Sequence, residues 1–360
     1  MELSSLPLVL LLCLMAGSAT AAPPALPGRA GGGRQVDRAN RHGPSIGLVM
    51  SYVAEDTALQ ASGYFRPWHV QPFIDLYGLS SHSSSMTKYF TVFNAYMYLS
   101  SYGLKNSLTS FFQDGGFTSG VFELNAAVTV QTLVDVFTVS GIVHYGTAGS
   151  SNDSMSFGDV SVPKLVAYTG AWTWKKYKSL KEESTELNFG QFNVPNGGEN
   201  LLGSLKYRNE ELYSVGKPME EVFWLPVDSA WFKIAEGLKV NLERCNDTFC
   251  LPKTPQVVHG LKGASADMFL DNAEYRKFLF REFAVSTIDE ESAAVVMTTT
   301  SPGVPVIVFR GVSDLAGGEP TWSSTSLMNL ASINALKVAV EFIATIGRQM
   351  STPLAQSSKN

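Results

Sequence analysis

The chain has 360 residues, of which 45% are hydrophobic and 16% are charged, and its formal net charge is −5. This length is enough for one large core or two modest ones. Nucleic-acid-binding proteins usually carry a basic face. The low charge content and mild acidity exclude that class, and we expect no nucleic-acid partner.

The N-terminus has the pattern of a secretory signal peptide. An apolar run over Leu6–Met15 is followed by a cleavage site of the A-x-A type at Ala19–Ala21. We therefore predict a signal peptide over residues 1–21 and a disordered leader over residues 22–44, which are rich in Pro, Gly, Ala and Arg. The apolar run is too short to span a bilayer. We expect a secreted or lumenal protein, with the vacuole as one such compartment, and no membrane partner.

Apolar periodicity beyond residue 44 predicts strands that alternate with helices. The predicted strands are Ser45–Met50, Gly141–Tyr145, Asp159–Val162, Gln256–Gly260 and Val304–Arg310. The predicted helices are Glu55–Ala61, Asn125–Phe137, Ser292–Thr300 and Ser324–Arg348. This alternation favours one α/β sandwich around a largely buried sheet. It spans residues 45–349 and is followed by a tail at 350–360, whereas Ser80–Thr118 has little periodicity and receives no assignment.

Two cysteines remain after the signal peptide, Cys245 and Cys250. An even number of cysteines in an oxidising compartment indicates a disulfide. Their C-x4-C spacing without a nearby His cluster argues against zinc, and no metal site is predicted. Asn152 and Asn246 each begin an N-x-[ST] sequon, which would place both on the surface if they carry glycans.

Carboxylates and small residues cluster at four places where strands are expected to end. The P-loop and nucleophile-elbow motifs are missing, but Val53–Asp56, Gly146–Gly149, Asp289–Glu291 and Arg310–Asp314 carry candidate groups. Ligands of open α/β folds bind at the carboxyl ends of strands. A single acid more often caps a helix or lies in solvent. Four such groups together favour a site.

These segments resemble the nucleoside phosphorylase and nucleosidase superfamily. His144–Gly149, Gly158–Val160, Asp289–Ala294 and Arg310–Asp314 carry the resemblance in this order. The loop from Cys245 to Pro255 is similar to the plant secreted branch, the bark storage protein-like group.

The resemblance covers about Ile46–Ile343 and implies a single-domain three-layer α/β/α sandwich with a mixed central sheet. It implies cleavage of the bond between ribose and base in a nucleoside, through a transition state like an oxocarbenium ion. It implies a homo-oligomer, a dimer or trimer. It implies no cofactor other than inorganic phosphate as co-substrate, if phosphate rather than water is the nucleophile.

The resemblance also implies the roles of four charged residues. Asp314 matches the acid that protonates or hydrogen-bonds the purine N7, and burial would raise its pKa for that task. Glu291 matches the carboxylate that accepts hydrogen bonds from the ribose hydroxyls. Glu55 matches the residue that positions the attacking water, with Asp56 as a weaker alternative. Arg310 matches an arginine near the nucleophile, and an ion pair with a neighbouring acid is the alternative.

Five further residues match the positions around the sugar and the base. Thr147 lies beside the ribose in this family, and Ala148 and Gly149 continue the same segment toward the base. Phe269 would stack on the purine, with core packing as the alternative. The backbone of Leu270 would read the edge of the base.

Glu290 departs from the family, which usually has a Met before the ribose-binding Glu. Thr287 and Glu290 have the T-x-x-E spacing of a capping box, so Glu290 could fold back onto the start of its helix. If it points into the pocket instead, the substrate is changed or activity is lost. Two hypotheses follow: an enzyme that cleaves purine-type nucleosides, with cytokinin ribosides among the candidate substrates, or a non-catalytic storage protein that keeps the fold.

Overall fold

The structure is a computed structural model that describes residues 40–41, 44–64, 90–94, 122–174, 205–246, 249–317 and 324–351. The predicted signal peptide, most of the predicted leader, most of Ser80–Thr118 and the end of the tail lie outside these residues. Asn40, near the end of the leader, donates to the carbonyl of Val136 at 3.1 Å and accepts from the amide of Thr138 at 2.9 Å.

The described residues form strands and helices in alternation. The helices are α1 (Val53–Ala61), α2 (Phe122–Val136), α3 (Ser229–Glu236), α4 (Ala273–Phe283), α5 (Ser292–Thr300) and α6 (Ser324–Ser351). The longer strands are β1 (Ser45–Met50), β2 (Phe90–Asn94), β3 (Val139–Ser150), β4 (Val160–Tyr168), β10 (Val257–Ser265), β11 (Val285–Asp289) and β12 (Val306–Leu315). The short strands are β5 (Trp172–Trp174), β6 (Leu205–Tyr207), β7 (Glu210–Leu212), β8 (Glu220–Val222) and β9 (Leu225–Pro226).

The predicted mixed central sheet is confirmed. Its strands follow the order β11-β10-β4-β12-β3-β1-β2, with β9 added beside β4. The neighbours of β1 and β10 are parallel to them, whereas β12 runs antiparallel to β4. In addition, β11 pairs with the end of β3, so five strands form a closed ring.

Four strands extend beyond the predicted bounds, and the extensions of β3 and β12 matter for the site. Gly146–Gly149 was predicted as a loop after the strand, but it continues β3, because β12 pairs with it in parallel as far as Gly149 and Ser150. β12 likewise runs on through Arg310–Asp314. Both candidate segments therefore lie inside strands, where backbone pairing fixes their positions.

The core forms where α6 covers the sheet. α6 packs on β12, β3 and α1, while α5 packs on α2 and on β4. Val306, Ile307, Val308 and Phe309 are all at most 2% exposed, as expected for a strand covered on both faces. α6 is apolar and long enough over Leu327–Gln349 to cross a membrane, but 61% of its most apolar window is buried inside the domain, as in a core helix.

Candidate active site

One cleft gathers the ends of β1, β3, β11 and β12. Gly149 pairs with Asp314 of β12 and with Ile288 of β11, so three strands meet at one glycine. Eight of the nine residues given site roles from the sequence line this cleft: Glu55, Thr147, Ala148, Gly149, Phe269, Leu270, Glu291 and Asp314. The ninth, Arg310, is 1% exposed and lies behind the lining residues.

Arg310 organises the floor of the cleft. Its Nε lies 3.0 Å from Asp289 Oδ2 and donates to Ser292 Oγ at 2.9 Å. Its Nη2 contacts Glu291 Oε2 at 2.9 Å, and its Nη1 donates to the carbonyl of Thr147 at 3.2 Å. All three guanidinium nitrogens therefore have partners. The ion pair that was the alternative for Arg310 is present, with two carboxylates.

His144 is a member of this cluster to which the sequence interpretation gave no role. It is fully buried, and its Nε2 contacts Arg310 Nη2 while its Nδ1 lies 3.2 Å from the carbonyl of Val49. Arginine can only donate, so Nε2 accepts and Nδ1–H donates to Val49. Burial and the charge of Arg310 lower the pKa of His144 to about 3, and the ring is neutral. The pairing of His144 with Val308 places it on the face that also carries Arg310, two residues further along β12.

Glu55 joins α1 to β3. Its Oε2 accepts from the amides of Ser51 at 2.8 Å and Tyr52 at 3.0 Å, which caps the start of α1. Its Oε1 accepts from the amide of Thr147 at 2.7 Å and from the hydroxyl of Thr147 at 3.3 Å. The carboxylate of Glu55 therefore both caps α1 and lines the cleft, although the residue is only 1% exposed.

Gly146 makes this approach possible. A Cβ at this position would lie 2.2 Å from Arg310 Nη1 and 2.6 Å from Glu55 Oε1. Real side-chain contacts are longer than this, so any other residue would push the arginine and the carboxylate away from β3. Here the glycine is required by close packing.

The capping box proposed for Thr287 and Glu290 is wrong. Asp289 caps α5 instead, because its Oδ1 accepts from the amides of Glu291 at 3.0 Å and Ser292 at 2.8 Å. Burial raises the pKa of Asp289, but Arg310 and the hydrogen bonds from Ser292 outweigh it, and the pKa lies below its usual value. Thr287 Oγ1 is buried without a hydrogen-bond partner. Because the cap is already filled, Glu290 lines the cleft.

Two neighbouring carboxyls in the cleft are hard to ionise. Burial raises the pKa of Glu291 to about 8, although Arg310 opposes it, and the charge of Asp289 adds to the rise. Burial, and then the charges of Asp289 and Asp267, raise the pKa of Glu290 to about 7. A single arginine faces several acids here. The pKa of Asp289 is lowered beside it, whereas the pKa values of Glu290 and Glu291 remain raised.

Tyr52 lies close to the same carboxyls. Burial, followed by the charges of Glu290, Glu291 and Glu55, raises its pKa to about 12. The phenol is therefore neutral, and a neutral phenol can donate or accept a hydrogen bond. The sequence interpretation missed Tyr52, which no motif marks out.

A bulge in β12 presents Asp314 to the cleft. Val312 pairs with Ala148 and Asp314 pairs with Gly149, so Ser313 is the extra residue. Ser313 Oγ lies 2.5 Å from Asp314 Oδ1. Burial raises the pKa of Asp314, the hydrogen bond from Ser313 lowers it, and the charge of Asp271 raises it, with a net rise. A raised pKa keeps more of this carboxyl in the form that can donate a proton.

The opposite wall of the cleft is apolar. Ala148 and Leu270 are buried, whereas Phe269 is 71% exposed. Core packing, the alternative for Phe269, is therefore excluded. The free volume of the cleft is about 70 Å³, below the ~300–1,000 Å³ usual for ligand pockets.

Glu123 lies behind the start of α5 and was also missed. Its Oε2 accepts from the amide of Ala294 at 2.8 Å, and its Oε1 is buried without a hydrogen-bond partner. Burial, followed by the charge of Asp289, raises its pKa well above the usual value. This acid is therefore harder to ionise than a free glutamate.

The disulfide prediction is confirmed, and one surface prediction is not met. Cys245 and Cys250 form a disulfide, with their Cα atoms 4.0 Å apart, slightly closer than the 4.4–6.8 Å expected. Asn152 is 8% exposed, and its Nδ2 donates to Ser286 Oγ at 3.3 Å, so it does not have the surface position expected of a glycan acceptor. Asn246 is partly exposed, and its glycosylation stays a prediction.

Comparisons with known proteins place the chain beside nucleoside-processing folds. A family model described as the phosphorylase superfamily matches residues 117–344. The chain is 36% identical over 304 residues to bark storage protein A of Populus deltoides, covering 84% of this chain and 88% of that protein. It is 22% identical over 230 residues to the 5′-methylthioadenosine/S-adenosylhomocysteine nucleosidase of Halalkalibacterium halodurans, covering 64% of this chain and 79% of that protein.

Solved structures show the same fold. The nucleosidase of that name from Neisseria meningitidis, in complex with methylthio-immucillin-A, has a TM-score of 0.51 at 16% identity and covers 84% of this chain and 99% of its own. The corresponding enzyme of Helicobacter pylori, with butyl-thio-DADMe-immucillin-A, has a TM-score of 0.51 at 16% identity, over 83% and 97% of the two chains. At this identity the likeness concerns the fold alone.

Proposed function

Since the chain belongs to the phosphorylase superfamily, we propose that it cleaves the bond between ribose and base in purine-type nucleosides. The main support for the proposal is that one cleft contains both a carboxyl group suited to donate a proton and a carboxylate held by an arginine. Asp314, with a raised pKa, lies at the end of β12, and the Arg310–Glu291 pair lies at the floor. An acid for the leaving base and a carboxylate for the sugar are the groups that this reaction needs.

Asp314 supplies the proton in the proposed reaction. As the bond between C1′ and N9 breaks, its electron pair moves into the purine, and Asp314 delivers a proton to N7. The base leaves as a neutral molecule, which stabilises the transition state. The Ser313 hydroxyl, 2.5 Å from Asp314 Oδ1, holds the carboxyl in place.

Glu291 receives the ribose hydroxyls, and Arg310 holds Glu291. The 2.9 Å contact with Nη2 of Arg310 fixes the carboxyl at the floor of the cleft. His144 is neutral, so it adds no second positive charge beside Arg310. Hydroxyl donors from a bound sugar would favour the ionised form of Glu291 and lower its pKa from about 8. The resulting negative charge would then face the positive charge that develops on the sugar.

Glu55 and Thr147 form the side from which the nucleophile would come. Glu55 Oε1 accepts from both the amide and the hydroxyl of Thr147. A water that donates to Glu55 could replace the longer hydroxyl contact of 3.3 Å and attack C1′. Water adds to C1′ in hydrolysis and phosphate does so in phosphorolysis, and we propose no other co-substrate or cofactor.

Glu290 and Phe269 would set the choice of substrate. With a pKa of about 7, Glu290 can donate or accept a hydrogen bond in mildly acidic solution, which favours a polar substituent near it. Phe269 offers an exposed apolar ring at the rim, suited to a purine or to an apolar group on its amino nitrogen. Cytokinin ribosides combine such a base with a ribose, and we include them among the substrates.

A storage role without catalysis is the second candidate. It is favoured by the 36% identity to bark storage protein A and by the presence of Glu290, an ionisable side chain, in the cleft. Either function suits the proposed secreted or lumenal protein, and for either we propose a homo-oligomer.

Release of free base from nucleosides tests the choice. The protein is incubated with adenosine, inosine and isopentenyladenosine, with and without inorganic phosphate. Release without phosphate identifies a hydrolase, and phosphate-dependent release identifies a phosphorylase. No release in any arm, at protein concentrations that reveal slow turnover, leaves storage as the function.

Asp314→Asn tests the proton donor. We expect turnover to fall by ~10²-fold or more, since an amide cannot deliver the proton. Asp135→Asn on the exposed face of α2 is the matched control, with turnover unchanged and both variants checked by circular dichroism. A rate for Asp314→Asn equal to that of the control removes Asp314 from the mechanism.

A further inference from the structure

A second cleft lies behind the end of β12. Leu315 lines it, while its neighbours Asp314 and Ala316 line the nucleoside cleft, so the two clefts share one strand end. Its walls are mainly apolar, with Met155, Phe157, Leu251 and Pro252 among them. Its free volume is about 540 Å³, within the ~300–1,000 Å³ typical of small-molecule pockets.

Arg276 of α4 is the charged group of this cleft. The residue is 7% exposed, and its Nε and Nη1 are buried without a hydrogen-bond partner. Its Nη2 lies 3.7 Å from Asp153 Oδ1, which is beyond hydrogen-bond range, and the Asp153 side chain is 77% exposed. Such an exposed acid contributes little to an ion pair.

A buried guanidinium without acceptors is unfavourable. A buried charge needs both a counter-charge and hydrogen bonds to offset its desolvation. The Nε and Nη1 atoms are buried, whereas Nη2 is not, so Nη2 is the guanidinium nitrogen that an acceptor in the cleft can reach. Lys253 also lines the cleft, so two basic residues and one acid, the exposed Asp153, face it.

We propose that this cleft binds a small organic oxyanion, a carboxylate or phosphate on an apolar body. The Nη2 atom of the planar guanidinium would donate a charge-assisted hydrogen bond to an oxygen of such a group. Lys253 would contribute a second attraction at the rim, and the apolar walls would cover the body of the ligand. This site is separate from the nucleoside cleft and does not depend on catalysis there.

Calorimetric titration of the protein with benzoate and phenyl phosphate tests the site. Benzyl alcohol is the neutral probe of the same shape. We expect both anions to bind and the alcohol not to, with Arg276→Met weakening anion binding by about tenfold or more. Arg276→Lys, which keeps the charge but loses the planar fork, is expected to weaken binding by a smaller factor.

Lys253→Gln at the exposed rim is the variant that carries least risk for folding. It should weaken anion binding a few-fold, and more at low salt than at high salt. Anion binding that Arg276→Met and Lys253→Gln leave unchanged overturns the proposal, as does a wild-type protein that binds neither anion at millimolar concentration. A carboxylate from a second copy of the chain could fill the cleft instead of a small anion. In that case the protein would be a dimer that Arg276→Met dissociates, and this result would also overturn the proposal.

Discussion

Two arginines are buried in the part of the chain that the structure describes, and their surroundings differ. Arg310 has a partner for each nitrogen: Asp289, Glu291, Ser292, Thr147 and His144. Arg276 has only a distant contact with an exposed acid, and two of its nitrogens have no partner. The first arginine holds other groups in place, whereas the second lacks acceptors that a ligand could supply.

The difference follows from where each arginine lies in the fold. Arg310 is inside β12, beside β3 and facing the start of α5, so backbone pairing brings acids from other elements to it. Arg276 is in the second turn of α4, whose first turn offers only Glu274 as an acid. The consequence of burying an arginine therefore depends on its partners: Arg310 holds neighbouring acids in place, whereas Arg276 lacks hydrogen-bond acceptors.

The largest expected effect comes from removing each arginine in turn. Arg310→Met leaves Asp289 and Glu291 buried without their cation, and we expect the free energy of unfolding to fall by about 3–5 kcal/mol. Arg276→Met removes a buried charge whose one ionic contact is with the exposed Asp153, so we expect no loss or a gain of about 1–4 kcal/mol. Urea unfolding of both variants at pH 7 measures the contrast. If both variants lose the same free energy of unfolding, the difference in partners has no effect on stability.

Gly146→Ala sharpens the comparison from the side of Arg310. The added Cβ would lie 2.2 Å from Nη1, and we expect a loss of about 1–3 kcal/mol from overpacking. Gly263→Ala in β10 is the matched control, since its Cβ would meet nothing closer than 3.6 Å. Thermal unfolding of the pair should show a lower melting temperature for Gly146→Ala alone. A similar change in both variants would indicate that strand glycines matter here for flexibility and not for close approach.

Much of the site could be predicted from sequence because its motifs lie at strand ends. The segments at Gly146–Gly149, Asp289–Glu291 and Arg310–Asp314 come together as expected. The parallel strands β3 and β12 bring their carboxyl ends to one edge, and the end of β11 meets β3 there in an antiparallel pairing. Apolar runs and helical periodicity likewise located β1, α5 and α6 closely.

Other features depend on contacts that no local pattern encodes. His144 gains its role only because β3 pairs with β12, and Arg276 stands out only because its neighbours in space offer no acceptors. The T-x-x-E spacing at Thr287 suggested a cap, but Asp289 caps the helix instead by accepting from the amides of Glu291 and Ser292. Asn152 fits the sequon pattern, and tertiary packing buries it.

Glu290→Gln should give the smallest of these changes in stability. It tests whether Arg310 can neutralise Glu290 in addition to Asp289 and Glu291. The pKa of Glu290 is about 7 in the folded protein against an ordinary 4.5, so the folded state holds a proton that the unfolded chain has released. Stability from this group is therefore fully present below pH 4.5 and decreases as the pH rises toward 7.

We expect Glu290→Gln to flatten the fall in unfolding free energy between these pH values, as measured by urea unfolding at several pH values. Glu220→Gln on the exposed strand β8 should leave the slope unchanged. An unchanged slope in Glu290→Gln would mean that Arg310 neutralises Glu290 as well as Asp289 and Glu291. The cluster would then carry enough positive charge for all three acids, and the contrast with the unpaired Arg276 would be larger still.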